Sequence, residues 1–311
     1  MIVASAPTRL DFGGGWTDVP PFPEERGGFV CNLAIERRAT VTVRKSAGDA
    51  PPDPLVAAAL RRAGMPAVRV TMASDFPIGA GLGGSSAAGV ALQAALAALA
   101  HRPCTDTELA EWSRATEVEE LGVAGGFQDH YAAACGGALG LSLTDRRHAA
   151  RIALTPVAIA ALEARLVVIY TGESRISADT ITAVLDAYRM RVPRVVQALD
   201  RMAALARLMA ESLHAGNVSE LAELVDEHWV HQQSLHPRIT TPRIDALEQA
   251  VRAAGATGFK ALGASGGGCV LAIAPVGRVD AVRRAAAPLG EVLSWRVATR
   301  GVMLEHVDEP Q

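Results

Sequence analysis

Pro77-Ile78-Gly79-Ala80-Gly81-Leu82-Gly83-Gly84-Ser85-Ser86-Ala87-Ala88 places a glycine-rich turn and two serines directly before a long Ala/Leu run. Glycine lets backbone approach a ligand with no Cβ in the way. A helix N-terminus carries partial positive charge and free N–H donors, so this junction suits a phosphate. The bland alternative is a surface loop before a core helix, with Ser85 or Ser86 as its cap. Two further glycine-rich stretches, Gly13-Gly14-Gly15-Trp16-Thr17-Asp18 and Gly263-Ala264-Ser265-Gly266-Gly267-Gly268, weigh against it. Asp129 follows Gly125-Gly126 among Phe127, Tyr131 and three alanines, where a buried carboxylate needs partners or a task. The bland alternative for Asp18 is an Asx turn before Pro20 and Pro21. Of Glu117, Glu119 and Glu120, at least one is expected to face solvent. His228, His231 and His236 lack a Cys or acidic partner at metal-ligand spacing, which disfavours zinc.

These residues need elements to hold them. Met1–Ala6 reads as a strand leading into a constrained loop, Pro7–Pro21. Residues 29–35 and the alternating 39–44 read as two further strands, and 68–72 as another. Helices are expected over Leu55–Ala63, Ser86–Ala100 and Thr107–Leu121, the last capped by Thr105 or Asp106. Strands 138–143 and 165–171 bracket a domain boundary placed after Arg151. Helical patterning then runs from Asp179 to His214, interrupted at Pro193. Further helices fall over 219–233, 241–254 and 279–289, with strands at 270–274 and 292–298. The order implies an α+β chain of two domains, 1–155 and 156–311.

With 50% hydrophobic and 20% charged residues, the 311-residue chain has a globular composition. Thirty basic against 33 acidic residues, a net charge of −3, give no support for a nucleic-acid surface. Four scattered cysteines, no signal-peptide pattern and no span long enough for a bilayer fit a cytoplasmic protein with no membrane partner. A monomer or homodimer is expected.

Together the three glycine-rich stretches resemble the three motifs of the GHMP kinases, and the resemblance runs over nearly the whole chain. The stretch Pro77–Ala88 is similar to the family's Pro-x-x-x-Gly-Leu-Gly-Ser-Ser-Ala-Ala with one extra glycine, Gly84. Arg9-x-Asp11-x-Gly-Gly-Gly-Trp-Thr-Asp18, Tyr170–Arg175 and His228-Trp229 resemble the branch of L-fucose kinases and D-glycero-D-manno-heptose 7-phosphate kinases. The resemblance implies a ribosomal protein S5 domain 2-like N-terminal domain, a ferredoxin-like C-terminal domain and a cleft between them. It implies ATP-dependent phosphorylation of the anomeric hydroxyl of a sugar or sugar phosphate.

The same resemblance assigns roles. Pro77, Gly79, Gly81, Leu82, Gly83, Gly84, Ser85, Ser86 and Ala87 would bind ATP. Ser85, in preference to Ser86, and Glu117 would hold Mg²⁺. Asp129 would accept the hydroxyl proton, and Arg9 would pair with it and offset charge on the transferring phosphoryl group. Gly14, Gly15, Trp16, Asp18, Gly266 and Gly267 would contact the sugar, with Trp16 either stacking on it or lying in a core. Arg175 would bind a phosphate already on the acceptor, or make only a surface ion pair. The alternatives are a non-catalytic sensor of the same fold, a kinase for a cyclitol or other small alcohol, and a mevalonate- or homoserine-type kinase.

Overall fold

The computed structural model describes residues 1–45, 53–65, 68–144, 147–174 and 178–307. Its first half contains strands β1 (Ile2–Gly13), β2 (Gly28–Lys45), β3 (Val68–Ser74), β4 (Ala138–Leu143) and β5 (Arg147–Ile152). Helices α1 (Phe22–Arg26), α2 (Pro54–Ala63), α3 (Gly84–Leu99), α4 (Asp106–Ala115) and α5 (Gln128–Cys135) lie between them. The second half begins with α6 (Pro156–Arg165), β6 (Leu166–Tyr170), α7 (Ala178–Arg189), α8 (Pro193–Ala215) and α9 (Val218–Leu235). It continues through α10 (Pro242–Ala253), β7 (Gly258–Ala261), β8 (Cys269–Ile273), α11 (Val279–Ala286), β9 (Glu291–Leu293) and β10 (Met303–His306).

One sheet has the order β10-β1-β2-β4-β5, with β3 also paired to β2. The other has the order β7-β8-β6-β9. Both are antiparallel in every described pair. β2 joins what the sequence suggested as two strands, because its 18 residues serve β1 and β4 at one end and β1 and β3 at the other.

Several expected boundaries shift. β1 runs on through Gly13 instead of ending at Ala6, so Arg9 and Asp11 lie on a strand. The expected helix Thr107–Leu121 ends at Ala115 and gives way to a π-helical turn, Thr116–Glu120. The strand expected at 292–298 is short, with Val297 making an isolated bridge to Ile35. The break at Pro193 is as expected: α7 ends at Arg189 and Pro193 opens α8, where a missing N–H costs nothing.

The proposed boundary at 155/156 separates the two sheets apart from β10, which returns from the chain's end to pair with β1 through Ile2↔His306 and Ser5↔Met303. α3 packs on β1 and β2 over an aliphatic core that includes Val41, Val90, Leu92 and Leu139. Its Ala-rich sides permit that close approach. A second core, around Leu10, Leu33, Leu205 and Leu271, joins the two halves. A third lies within the second half and takes in Trp16 and Phe22 from the first. No helix among the described residues is long and apolar enough to cross a membrane.

Candidate active site

Two cavities adjoin, and the second of them lies where the halves meet. One, about 410 Å³, is lined by Pro77 to Ser85 together with Ala39, Met72, Phe76 and Asp129. The other, about 440 Å³, is lined by Arg9, Gly15, Trp16, Asp18, Ser85, Ser86, Glu117, Gln128, Asp129 and the loop Gly122–Gly126, among others. Ser85 and Asp129 line both.

The loop before α3 shows why its sequence is glycine-rich. Gly83 is the N-cap at φ +77°, and a Cβ there would stand 3.1 Å from the Asp129 carboxyl carbon. A Cβ on Gly84 would lie 2.3 Å from the Phe76 ring. The helix therefore starts two residues before the expected Ser86. No side chain caps it, so the first-turn N–H groups remain available to an anion. Ser86 is not the cap: it is buried and its hydroxyl meets Glu117 Oε2 at 3.4 Å and His130 Nε2 at 3.3 Å. Ala87 does not face either cavity. Its side chain lies in the core and its N–H bonds Gly83 O at 3.0 Å, so it has no donor left for a phosphate.

Arg9 reaches from β1 to the first turn of α5. Its Nε and Nη2 donate to the two carboxylate oxygens of Asp129 at 2.7 and 2.8 Å, and Nη1 donates to Gly81 O at 2.6 Å. One guanidinium thus ties the glycine-rich loop to Asp129. Bidentate pairing of this kind fixes direction as well as distance.

Glu117 projects from the π-helical turn. Ser85 Oγ donates to its Oε1 at 3.0 Å, and His130 Nε2 stands 3.1 Å from Oε2. Burial raises the Glu117 carboxyl, but His130, Ser85 and Ser86 together hold it below its ordinary range. The turn itself is pinned by Gln93 Nε2, which donates to Thr116 Oγ1 at 3.0 Å, while Thr116 Oγ1 donates to Trp112 O at 2.9 Å. Glu119 and Glu120 point outward toward Arg61 and Arg62. Sequence reasoning passed over His130, whose only sign was its place beside Asp129. Its contacts, to Ser113 Oγ at 3.0 Å and to Glu117, come from distant segments with no fixed spacing.

Ser85 Oγ and Glu117 Oε1 form a pair of hard oxygen donors beside the glycine-rich loop. That donor set suits Mg²⁺, which needs few protein ligands when nucleotide oxygens and water complete its shell. Among the described residues no group of three or more His, Cys, Asp or Glu could hold a metal by itself.

Asp18 lines the second cavity and also caps α5. Its Oδ2 accepts from the N–H groups of Phe127 and Gln128 at 2.8 and 3.0 Å. Burial lifts its carboxyl to about 6 against the pull of those donors, with repulsion from Asp129 and Asp11 added. Trp16 has φ +79° and is 6% exposed. Trp16 packs with the second half's core and also lines the cavity. Gly15 lines the cavity too, whereas Gly14 is spent on the turn, its N–H bound to His228 Nε2. From the third glycine stretch, Gly263 and Ala264 line the cavity, not Gly266 and Gly267. Gly266 N–H instead bonds Ile239 O, and a Cβ on Gly268 would lie 2.8 Å from Ala80 O. That stretch braces the glycine-rich loop before α3. Arg175 lies outside the described residues.

Sequence models of two domains match the chain: GHMP kinases N terminal domain over residues 54–137 and GHMP kinases C terminal over 209–289. The chain belongs to the GHMP kinases. It is 26% identical to a bifunctional fucokinase/GDP-fucose pyrophosphorylase of Arabidopsis thaliana, over 86% of this chain but only 29% of that protein. It is 28% identical to a mevalonate kinase of Pyrococcus abyssi, over 78% of this chain and 70% of that one. A D-glycero-alpha-D-manno-heptose 7-phosphate kinase of Campylobacter jejuni is 28% identical over 63% and 58%. The fold of this GHMP kinase superposes on a D-glycero-D-manno-heptose 1-phosphate kinase from Bacteroides thetaiotaomicron with a TM-score of 0.80, at 21% identity over 99% and 100% of the two chains. Its two halves, with mixed helices and sheets, are the two-domain GHMP kinase fold.

Proposed function

We propose that this GHMP kinase transfers the γ-phosphoryl group of ATP to the anomeric hydroxyl of a sugar or sugar phosphate, fucose-like or heptose 7-phosphate-like. The observation that carries the reading is the junction of the two cavities at Ser85 and Asp129. ATP would occupy the cavity along Pro77–Ser85, its phosphates facing the uncapped N-terminus of α3. The acceptor would occupy the cavity lined by Gly15, Trp16, Asp18 and Gln128. Asp129, held by Arg9, would orient the hydroxyl and take its proton, and the guanidinium would stabilise charge on the moving phosphoryl group. Ser85 and Glu117 would hold Mg²⁺, which would neutralise phosphate charge. Arg175 would bind a phosphate on the acceptor.

The similarity to mevalonate kinases supports a second reading, a small carboxylated alcohol as acceptor. ADP release with ATP and Mg²⁺ across L-fucose, D-mannose, mannose 6-phosphate, heptose 7-phosphate, a cyclitol and mevalonate separates these. Turnover confined to phosphorylated sugars assigns the heptose-type acceptor. Turnover of mevalonate alone overturns the sugar assignment. No turnover of any acceptor, with ATP still bound, leaves a sugar sensor.

A further inference from the structure

The loop Gly13–Trp16 gives the second cavity one wall, yet two side chains from the other half of the molecule hold it from behind. Lys260, on β7, is 0% exposed and donates to Asp11 Oδ2 at 3.1 Å and to Phe12 O at 3.3 Å. His228, on α9, is also fully buried and accepts the Gly14 N–H on Nε2 at 3.0 Å. Glycine at 13 and 15 leaves room for the side chains packed behind the loop. A Cβ on Gly13 would stand 2.5 Å from Met209 Sδ and 3.2 Å from the His228 ring, and one on Gly15 would stand 2.6 Å from Asp11 Oδ2. Neither Lys260 nor His228 lines the cavity.

We propose that Lys260 and His228 are positioning residues that fix the shape of the acceptor-binding loop from the C-terminal half, and so set acceptor affinity without touching the acceptor. The inference rests on the acceptor cavity assigned above. Packing alone does not account for the choice of residues. A buried ammonium–carboxylate pair pays a large desolvation cost that an apolar pair of the same volume would avoid. What the two polar side chains supply is direction: a fixed donor for the Phe12 carbonyl and a fixed acceptor for the Gly14 amide, on either side of Gly13. Burial and the nearby Lys260 charge hold the imidazole of His228 well below its ordinary pKa, which keeps Nε2 free to accept. Its proton then sits on Nδ1, which has no partner among the described residues, so the ring's one hydrogen bond there is to the loop.

The test compares His228→Leu, His228→Gln and Lys260→Met with the wild-type chain, using two readouts. Amide hydrogen exchange of peptides covering Gly13–Thr17 and Gly79–Ser86 needs no acceptor. His228→Leu and Lys260→Met should speed exchange in the first peptide by about 10-fold or more and leave the second unchanged. The acceptor KM should rise about 10-fold or more in both variants, because small misplacement of a binding wall is costly, while affinity for a non-hydrolysable ATP analogue stays within about 2-fold. His228→Gln, which can still accept from Gly14, should restore both quantities. If Lys260→Met fails to fold, Asp11→Asn/Lys260→Met removes the unpaired charge, and its acceptor KM should remain raised. Unchanged loop exchange overturns the inference. So does a loss of thermal stability with acceptor KM unchanged, the result expected of a purely structural pair. If the wild-type chain turns over no acceptor, the proposed function fails and loop exchange alone decides this one.

Discussion

Asp129 has both oxygens occupied by Arg9, and its position depends on that one guanidinium. Asp129→Asn should lower kcat by about 10²-fold or more, the scale of general-base loss, with ATP-analogue affinity unchanged in a calorimetric titration. Asp18 makes a different kind of prediction. Its carboxyl is raised from 3.8 to about 6, so the ionised form is the one the fold disfavours. The contribution of Asp18 to stability is therefore complete below about pH 4 and is lost as pH rises through about 6. The difference is about 3 kcal/mol at one pKa unit per 1.36 kcal/mol. Urea unfolding of Asp18→Asn should show a flatter profile than wild type over about pH 4–7. The pairing of Arg9 with Asp129, 120 residues apart, was legible only through the family motifs, since no spacing rule links a strand residue to a helix so distant. His130 and Lys260 were not legible: one histidine and one lysine in apolar stretches read as ordinary residues until distant partners are brought to them.

The π-helical turn Thr116–Glu120 shifts the register of the helix by one residue just where Glu117 must face Ser85. Such turns recur at functional sites because they re-aim a side chain that regular geometry would misdirect. Thr116→Val removes the hydroxyl that holds the turn and leaves the Gln93 amide buried without a partner. It should cost about 1–3 kcal/mol in chemical denaturation and raise the Mg²⁺ concentration needed for half-maximal rate, with acceptor KM unchanged. The turn was invisible in the sequence, since one inserted residue leaves the hydrophobic spacing on either side intact. The long strand β1 was underestimated for a related reason. Arg9, Asp11 and the following glycines look like a loop, but the polar side chains are satisfied by Asp129 and Lys260 rather than by solvent. The helices were easier to read: Thr105 and Pro193 stand where capping chemistry puts them.

At the scale of the whole molecule, the halves divide the labour of one cleft but do not separate. β10 closes the edge of the first sheet, Trp16 lies in the second half's core, and Lys260 neutralises Asp11 across the divide. A fragment comprising residues 1–155 should therefore lack a cooperative thermal transition by circular dichroism, because a buried carboxylate loses its partner at a cost of about 3–5 kcal/mol. The return of β10 was not legible: four residues, three of them exposed, pair with a strand about three hundred positions earlier, and only the folded sheet reveals it. The shared wall between the two cavities has a stereochemical consequence. With ATP and the acceptor in the two cavities as proposed, donor and acceptor would meet at Ser85 and Asp129, where both Asp129 oxygens are already engaged by Arg9. A single displacement would then carry the phosphorus from one oxygen to the other, and a phosphoryl group made chiral with oxygen isotopes should leave the enzyme with its handedness inverted.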